Sequence, residues 1–463
     1  MSFGDVKRAV LFISALGSFL TPFMGSSVNV ALPAIGGEFA MDAVSLSWVA
    51  TSYLLTATMF LLPFGRAADI YGRRKIFTWG VVVYTVSSAL SAASTSGWTL
   101  IAFRFAQGVG GAMIFGTAVA ILTSVYSVGE RGKALGINVS AVYLGLSLGP
   151  FLGGLLTQRF GWRSIFLVNV FLGTVTIIYT LRGLKGEWAE AKGERLDVVG
   201  SMIFGLALAL VMYGFSLLPT EAGACLILTG LAGLLVFTIW ESSVDSPVLN
   251  VNLLRSNATF TFSNLAALIN YSATYAVSFL LSLYLQYVKG MTPETTGLIL
   301  VSQPAVQATL SPFAGKLSDQ LEPGLVASTG MAVTVVGLIL LTFISEGTTV
   351  KYILASLILL GISFALFSSP NTNAVMGSVE KKFYGVASAI LGTMRLIGQM
   401  LSMGIAMLIF TIYIGRTQIT PQEYPMFLTS VKTSFTIFAT LCVGGVFASL
   451  ARRKIRKHGN LTQ

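Results

Sequence analysis

The sequence predicts an all-α polytopic membrane protein: two six-helix bundles with two further helices inserted between them, fourteen transmembrane helices in all. Three observations predict it. Only 10% of the 463 residues are charged while 54% are hydrophobic, against about 25% charged in a soluble domain. A soluble chain of this length could not cover its surface with so few charges, so lipid must take the place of water. Fourteen apolar runs approach the length of about 20 residues that a bilayer span requires. Finally, a loop pattern recurs 250 residues after its first appearance.

The runs lie near 9–32, 47–64, 76–95, 98–126, 134–157, 163–183, 197–217, 223–241, 258–287, 296–314, 324–344, 351–373, 384–413 and 432–451. The first superficially resembles a secretory leader. From Ala9 to about Leu32 it is too long for one and lacks a cleavage site, so it is read as a retained span. An even number of spans places both termini on one side, and the basic residues choose the side. Twenty-one of the 29 share the side of the termini, among them Lys7, Arg8, Arg73, Arg74, Lys75, Arg131, Lys185, Lys381, Lys382 and the tail from Arg452. Six lie opposite, and Arg104 and Arg395 fall inside spans. Both termini are therefore expected in the cytoplasm. The net charge of +11 follows from this asymmetry, and no nucleic-acid partner is needed to explain it.

Gly65-Arg-Ala-Ala-Asp69 after the second run recurs as Gly315-Lys-Leu-Ser-Asp319 after the tenth. The segment Glu130-Arg-Gly-Lys-Ala-Leu-Gly136 has a looser echo in Glu380-Lys-Lys-Phe-Tyr-Gly385 at the same offset. The chain accordingly divides into a bundle over 1–183, an insertion over 184–255, a second bundle over 256–451 and a basic tail over 452–463. Parallel repeats about an axis along the membrane normal are one known plan of membrane transporters.

Several chemistries are left without residues. Cys225 and Cys442 both lie in apolar runs, and the single histidine, His458, is in the tail, so no disulfide frame, metal site or histidine relay is indicated. There is no P-loop, no nucleotide-binding domain and no paired acids or nucleophile motif within the spans. No enzyme and no cofactor are expected.

Four motifs carry the positive signal. Gly65-Arg66-Ala67-Ala68-Asp69-Ile70-Tyr71-Gly72-Arg73-Arg74-Lys75 places a tight turn at Gly72 and sets Asp69 to face a helix N-terminus or a cation. Such a contact can latch the cytoplasmic ends of the two halves in one state; the copy at Gly315 and Asp319 lacks the later glycine and arginines, so a weaker latch is expected there. The fourth run holds Arg104-Phe-Ala-Gln107-Gly108, and an arginine in a span needs carbonyls, water or an anion unless it reaches back to the interface. The fifth run reads Gly145-Leu-Ser-Leu-Gly149-Pro150-Phe-Leu-Gly153-Gly154. Its glycines at four-residue intervals share one face and allow close backbone approach, and Pro150 frees a carbonyl.

These segments resemble, in turn, the G-x-L-a-D-r-x-G-r-k, R-x-x-Q-G-x-g and G-x-x-x-G-P-x-x-G-G signatures of the major facilitator superfamily. With Asn29-Val-Ala-Leu-Pro33, Gly392-Thr-Met-Arg395-Leu-Ile-Gly398 and fourteen runs, the chain looks like the fourteen-span drug:proton antiporter branch over essentially its whole length. The resemblance implies a monomeric carrier in the inner membrane of a prokaryote that exports amphipathic or lipophilic small molecules by alternating access. One departure bears on protons: where that branch usually has an Asp five residues before Asn29, this chain has Met24. All 18 acidic residues map to loops or span ends, whereas proton coupling ordinarily uses an intramembrane ionisable group.

What the spans supply instead is polar and neutral. Asn270, Thr274 and Ser278 form one stripe, beside Tyr271 and Tyr275, that either lines a cavity or binds a neighbouring helix. Gln303, Gln307 and Asn371 are further cavity candidates, with Asn29. Arg395, about 18 Å into its span at 1.5 Å per residue, either faces a cavity and an anionic substrate group or is tied to carbonyls of a neighbouring helix. Two other functions stay open on the residues: a facilitator or lipid-like exporter without proton coupling, and a transporter-derived sensor or scaffold.

Overall fold

The computed structural model describes residues 3–184, 186–249, 251–380 and 384–459. Lys185, Lys381, Lys382 and the last four residues of the tail lie outside them. Among the described residues every regular element is helical, in the order α1 (Phe3–Phe39), α2 (Ala43–Tyr71), α3 (Arg73–Ala92), α4 (Gly97–Val125), α5 (Val128–Phe160), α6 (Arg163–Gly183), α7 (Val198–Leu217), α8 (Glu221–Glu241), α9 (Val251–Ser256), α10 (Ala258–Thr274), α11 (Ala276–Leu283), α12 (Pro293–Leu300), α13 (Ser302–Gln320), α14 (Pro323–Thr342), α15 (Val350–Gly377), α16 (Tyr384–Tyr413) and α17 (Tyr424–Gly459). Side-chain caps fix several starts. Asp42 accepts from Val44 N and Ser45 N at 2.9 Å to open α2, and Ser96 with Thr99 forms a capping box for α4.

Twelve of these units are long and apolar enough to cross a membrane, not fourteen. The expected spans 76–95 and 296–314 fall on α3 and on α12 with α13, which are helical but are not among the twelve. The reason is composition. Helix α3 opens on Arg73, Arg74 and Lys75 and carries Ser87, Ser88 and Ser91, while the polar α13 is parted from α12 at Val301. The expected span 258–287 is one of the twelve, but it is interrupted. It ends α10 at Thr274, resumes as α11 and closes in a π turn, Tyr284–Val288, with Ala276 N donating to Ser402 Oγ of α16 at 3.0 Å.

Small residues set how the helices meet, as expected where lipid is the solvent. A Cβ at Gly108 would strike Thr56 and the Tyr53 carbonyl of α2, and one at Gly110 would strike the α3 backbone at Tyr84 and Gly80. The same close approach recurs later in the chain, with Gly330 of α14 against α15 and Gly361 of α15 against α13. Helices α7 and α8 pair through Gly214, Gly223 and Gly230. The pair leans on both bundles, with Gly205 near Met59 of α2 and Gly404 of α16 against Phe215 and Met212 of α7. On its outer side α8 exposes Leu228, Leu235 and Ile239, each about two-thirds exposed, a face suited to lipid.

Candidate functional site

The two bundles are joined most firmly at the end of the molecule opposite the Gly65–Lys75 loop. There Ser282 Oγ donates to the Asn29 carbonyl at 2.8 Å and Gln286 Nε2 to the Val30 carbonyl at 2.9 Å. Ala43 N donates to the Thr417 carbonyl at 3.1 Å. The glycines of α5 build the rest of this seal. Gly149 and Gly153 press on Ser26 and Ser27 of α1, while Gly154 meets the Pro293 backbone of α12 and Gly297 of α12 meets the Pro150 carbonyl. Gly145 lies on the Phe19 carbonyl. The glycine face expected from spacing thus packs on its own bundle at three positions and crosses to the other bundle through Pro150 and Gly154. Pro293 and Gly297 were not legible as its partners, nor Ser282 and Gln286 as those of Asn29 and Val30. Asn29 is buried there, and its Oδ1 has no partner.

At the other end, Gly72 joins α2 to α3 with φ +114°, in the region that favours glycine, and the end of the Glu187 side chain lies where a Cβ would stand. Arg73 is buried. Its Nε and Nη2 bond Asp69 Oδ1 at 2.9 and 2.7 Å, and its Nη1 bonds Ser124 Oγ at 2.6 Å and Glu190 Oε1 at 2.7 Å. Burial pulls this guanidinium down, but Glu190 and Asp69 more than offset it and hold its pKa above the ordinary value. Arg74 N donates to Glu187 Oε1 at 2.8 Å, Arg73 N to the Trp188 carbonyl and Ala191 N to the Asp69 carbonyl, both at 2.9 Å, and Arg66 pairs with Glu194. The partner of this loop is therefore the segment 187–194 leading to the inserted helices, rather than the second bundle. Its three acids, spaced against three arginines, were the signal in the sequence that could have pointed to it. Gly65 is open and Asp319 is exposed without an ion pair among the described residues, while Gly315 lies near Ser369.

Between the two ends lie the arginines. Arg104 is 1% exposed. It donates through Nε to the Val49 carbonyl at 3.0 Å and through Nη1 to Gln107, whose Nε2 reaches Ser88 Oγ at 2.7 Å. Its guanidinium stands 4.6 Å from the Tyr53 ring. It does not reach back to the interface; it bolts α4 to α2 and α3. Arg395 is only half-buried, its Nη2 donating to Thr372 Oγ1 of α15 at 2.7 Å and its guanidinium 5.7 Å from the Tyr271 ring of α10. Its Nε has no partner. Nearby, Tyr143 of α5 and Ser368 of α15 meet across the bundles at 3.4 Å, and Gly392 of α16 lies on Phe115 of α4.

The remaining candidates divide. Asn371 donates to the Ser263 carbonyl at 3.1 Å and ties α15 to α10. Asn270 is fully buried with both amide atoms unpartnered, and Thr274 Oγ1 bonds its carbonyl at 2.6 Å. Gln303 and Gln307 are buried, with the Gln303 backbone against Gly361 of α15, so their face meets a helix. Tyr275 reaches towards Gly25 of α1, 3.6 Å from where a Cβ would stand. Met24 is buried and receives a long contact of 3.9 Å from Asn169 Nδ2. A separate cavity of 430 Å³, lined by Glu38, Met41, Asp42, Ser96 and Trp98, belongs to the sealed end and not to Arg395.

The Major Facilitator Superfamily model matches residues 14–244 and 264–462, and the chain belongs to that family, a family of transporters rather than enzymes. It is thus a multi-pass integral membrane protein and a secondary transporter. Among its relatives is the riboflavin transporter RibZ of Clostridioides difficile, 26% identical over 96% of this chain and 97% of that one. The multidrug resistance protein Stp of Mycobacterium tuberculosis is 31% identical over 84% and 73%, and the cephamycin export protein CmcT of Amycolatopsis lactamdurans 30% identical over 85% and 83%. A bacterial homologue of the human lysosomal transporter Spinster, solved inward-facing and unoccupied, covers 98% of both chains with a TM-score of 0.69 at 16% identity, which supports the shared fold.

Proposed function

We propose that the chain exports amphipathic small molecules carrying an aromatic ring and an anionic group, by alternating access, with Arg395 reading the anion. The observation that carries this reading is Arg395 itself: in the middle of α16, only half-buried, 5.7 Å from the Tyr271 ring, and with a buried Nε that no protein group satisfies. A cation kept half-desolvated in that way favours an anion. The name of CmcT and the resemblance of the α5 glycine motif to that of antiporters support the export direction. With the Gly65–Lys75 loop on the cytoplasmic side, as the basic residues predict, the seal built by α1, α5 and α12 lies at the opposite face of the membrane. We read α3 and the α12–α13 pair as the two spans that complete fourteen, and the carrier as a monomer in a prokaryotic inner membrane.

A second reading has its own support. RibZ matches nearly end to end, which favours a dedicated carrier of one planar aromatic solute over a polyspecific exporter. Proteoliposomes loaded with a panel of lipophilic anionic and neutral dyes and with riboflavin, with and without an imposed pH gradient, separate the readings. Movement of several dyes supports the exporter, and movement of riboflavin alone supports the dedicated carrier. Gradient-driven movement identifies a proton-coupled carrier; movement indifferent to the gradient identifies a facilitator or another coupling ion. A folded protein that moves none of them would leave a sensor or scaffold.

A further inference from the structure

We propose that Asp197 and Glu241, at the shared end of the inserted helices α7 and α8, form a buried carboxyl pair that binds a single proton. The two side chains are 9% and 3% exposed. A Cβ built on Gly200 would come within 3.0 Å of both Asp197 Oδ2 and Glu241 Oε1, so the two oxygens border one small space. No cation approaches either acid within 4.0 Å among the described residues. Of the neighbouring charges, Glu194 is taken by Arg66 of α2, while Arg195, Asp245 and Arg255 are exposed. Two carboxylates so placed cannot both stay ionised without an uncompensated buried charge.

Donors and acceptors assign the proton. Asp197 caps α7, taking Gly200 N on Oδ1 at 2.9 Å, and Trp240 Nε1 donates to its Oδ2 at 2.9 Å. A helix N-terminus favours negative charge, so Asp197 is the ionised partner. Glu241 is the last residue of α8, where the helix dipole disfavours a carboxylate. Its Oε2 accepts from Leu249 N at 2.8 Å, whereas Oε1, buried and turned to Asp197, has no donor. A proton on Oε1 donated to Asp197 Oδ2 completes the set, since an ionised carboxylate can only accept. The pair holds together the start of α7, the end of α8 and the segment through Leu249 that leads to α9.

Infrared spectroscopy of the purified full-length protein, titrated between acid and alkaline pH, tests this directly. The expected result is an acid carbonyl band at pH 7 that shifts in heavy water and is lost in Glu241→Gln, whose amide keeps the shape of the protonated acid. Asp197→Asn removes the negative neighbour, so there the band should titrate away at lower pH than in the wild type. Absence of the band at pH 7, its persistence undiminished in Glu241→Gln, or an unmoved titration in Asp197→Asn would overturn the proposal. No substrate enters the measurement, so its failure leaves the transport reading untouched.

Discussion

Arg104 and Arg395 sit inside the bundles, each facing a tyrosine ring, yet they are held in opposite ways. Arg104 is closed off, its bonds shared among Val49, Gln107 and, through Gln107, Ser88. Arg395 has one side-chain partner, Thr372, an unused Nε and access to solvent. The difference teaches that an intramembrane arginine is read by what remains unpaired around it, because a saturated one fastens helices and an unsaturated one is ready for a ligand. The same contrast holds for the repeated loops. The first is covered by the segment 187–194, and the second leaves Asp319 bare.

The sharpest way to break the comparison is at Arg104. Arg104→Leu strands the Val49 carbonyl and Gln107 in the core, and hydrogen bonds to charged groups contribute about 1.5–3 kcal/mol each. Thermal unfolding should fall steeply or the folded protein be lost, and Arg104→Lys should rescue little, because a point charge cannot replace the fork. Next in size, Arg395→Gln should leave unfolding unchanged while transport of an anionic substrate falls about 10- to 100-fold, the effect of about 1.4–2.8 kcal/mol. Smaller again is Glu190→Gln. The carboxylate is 70% exposed and Arg73 keeps Asp69 and Ser124, so a loss of at most about 1 kcal/mol is expected. It should be read as faster tryptic cleavage at the exposed Lys192 and Arg195, with Asp69→Asn faster still. Asp319→Asn should change unfolding by less than about 0.5 kcal/mol, as for other exposed positions.

The all-helical membrane fold was legible because low charge and run length are properties of composition and spacing. The full count of fourteen is not confirmed by length and hydropathy, which pick out twelve, because α3 and α13 combine a membrane length with polar or basic residues. Arg104 and the α5 glycines were legible as places where backbones or charges must be accommodated; which neighbour accommodates them depends on how the bundles tilt, which no local pattern encodes. The docking of Glu187, Glu190 and Glu194 was missed for another reason. Acids in a loop read as solvated until the arginines they meet are placed beside them. Asp197 and Glu241 were assigned to span ends on the same ground, yet folding buries both.

The most direct measurement compares an anionic dye and its uncharged ester in proteoliposomes carrying the wild type or Arg395→Gln. If Arg395 reads the substrate, the variant loses transport of the anion and keeps that of the ester. Equal rates for the two proteins on both dyes, or equal loss of both dyes in a folded variant, would contradict that role.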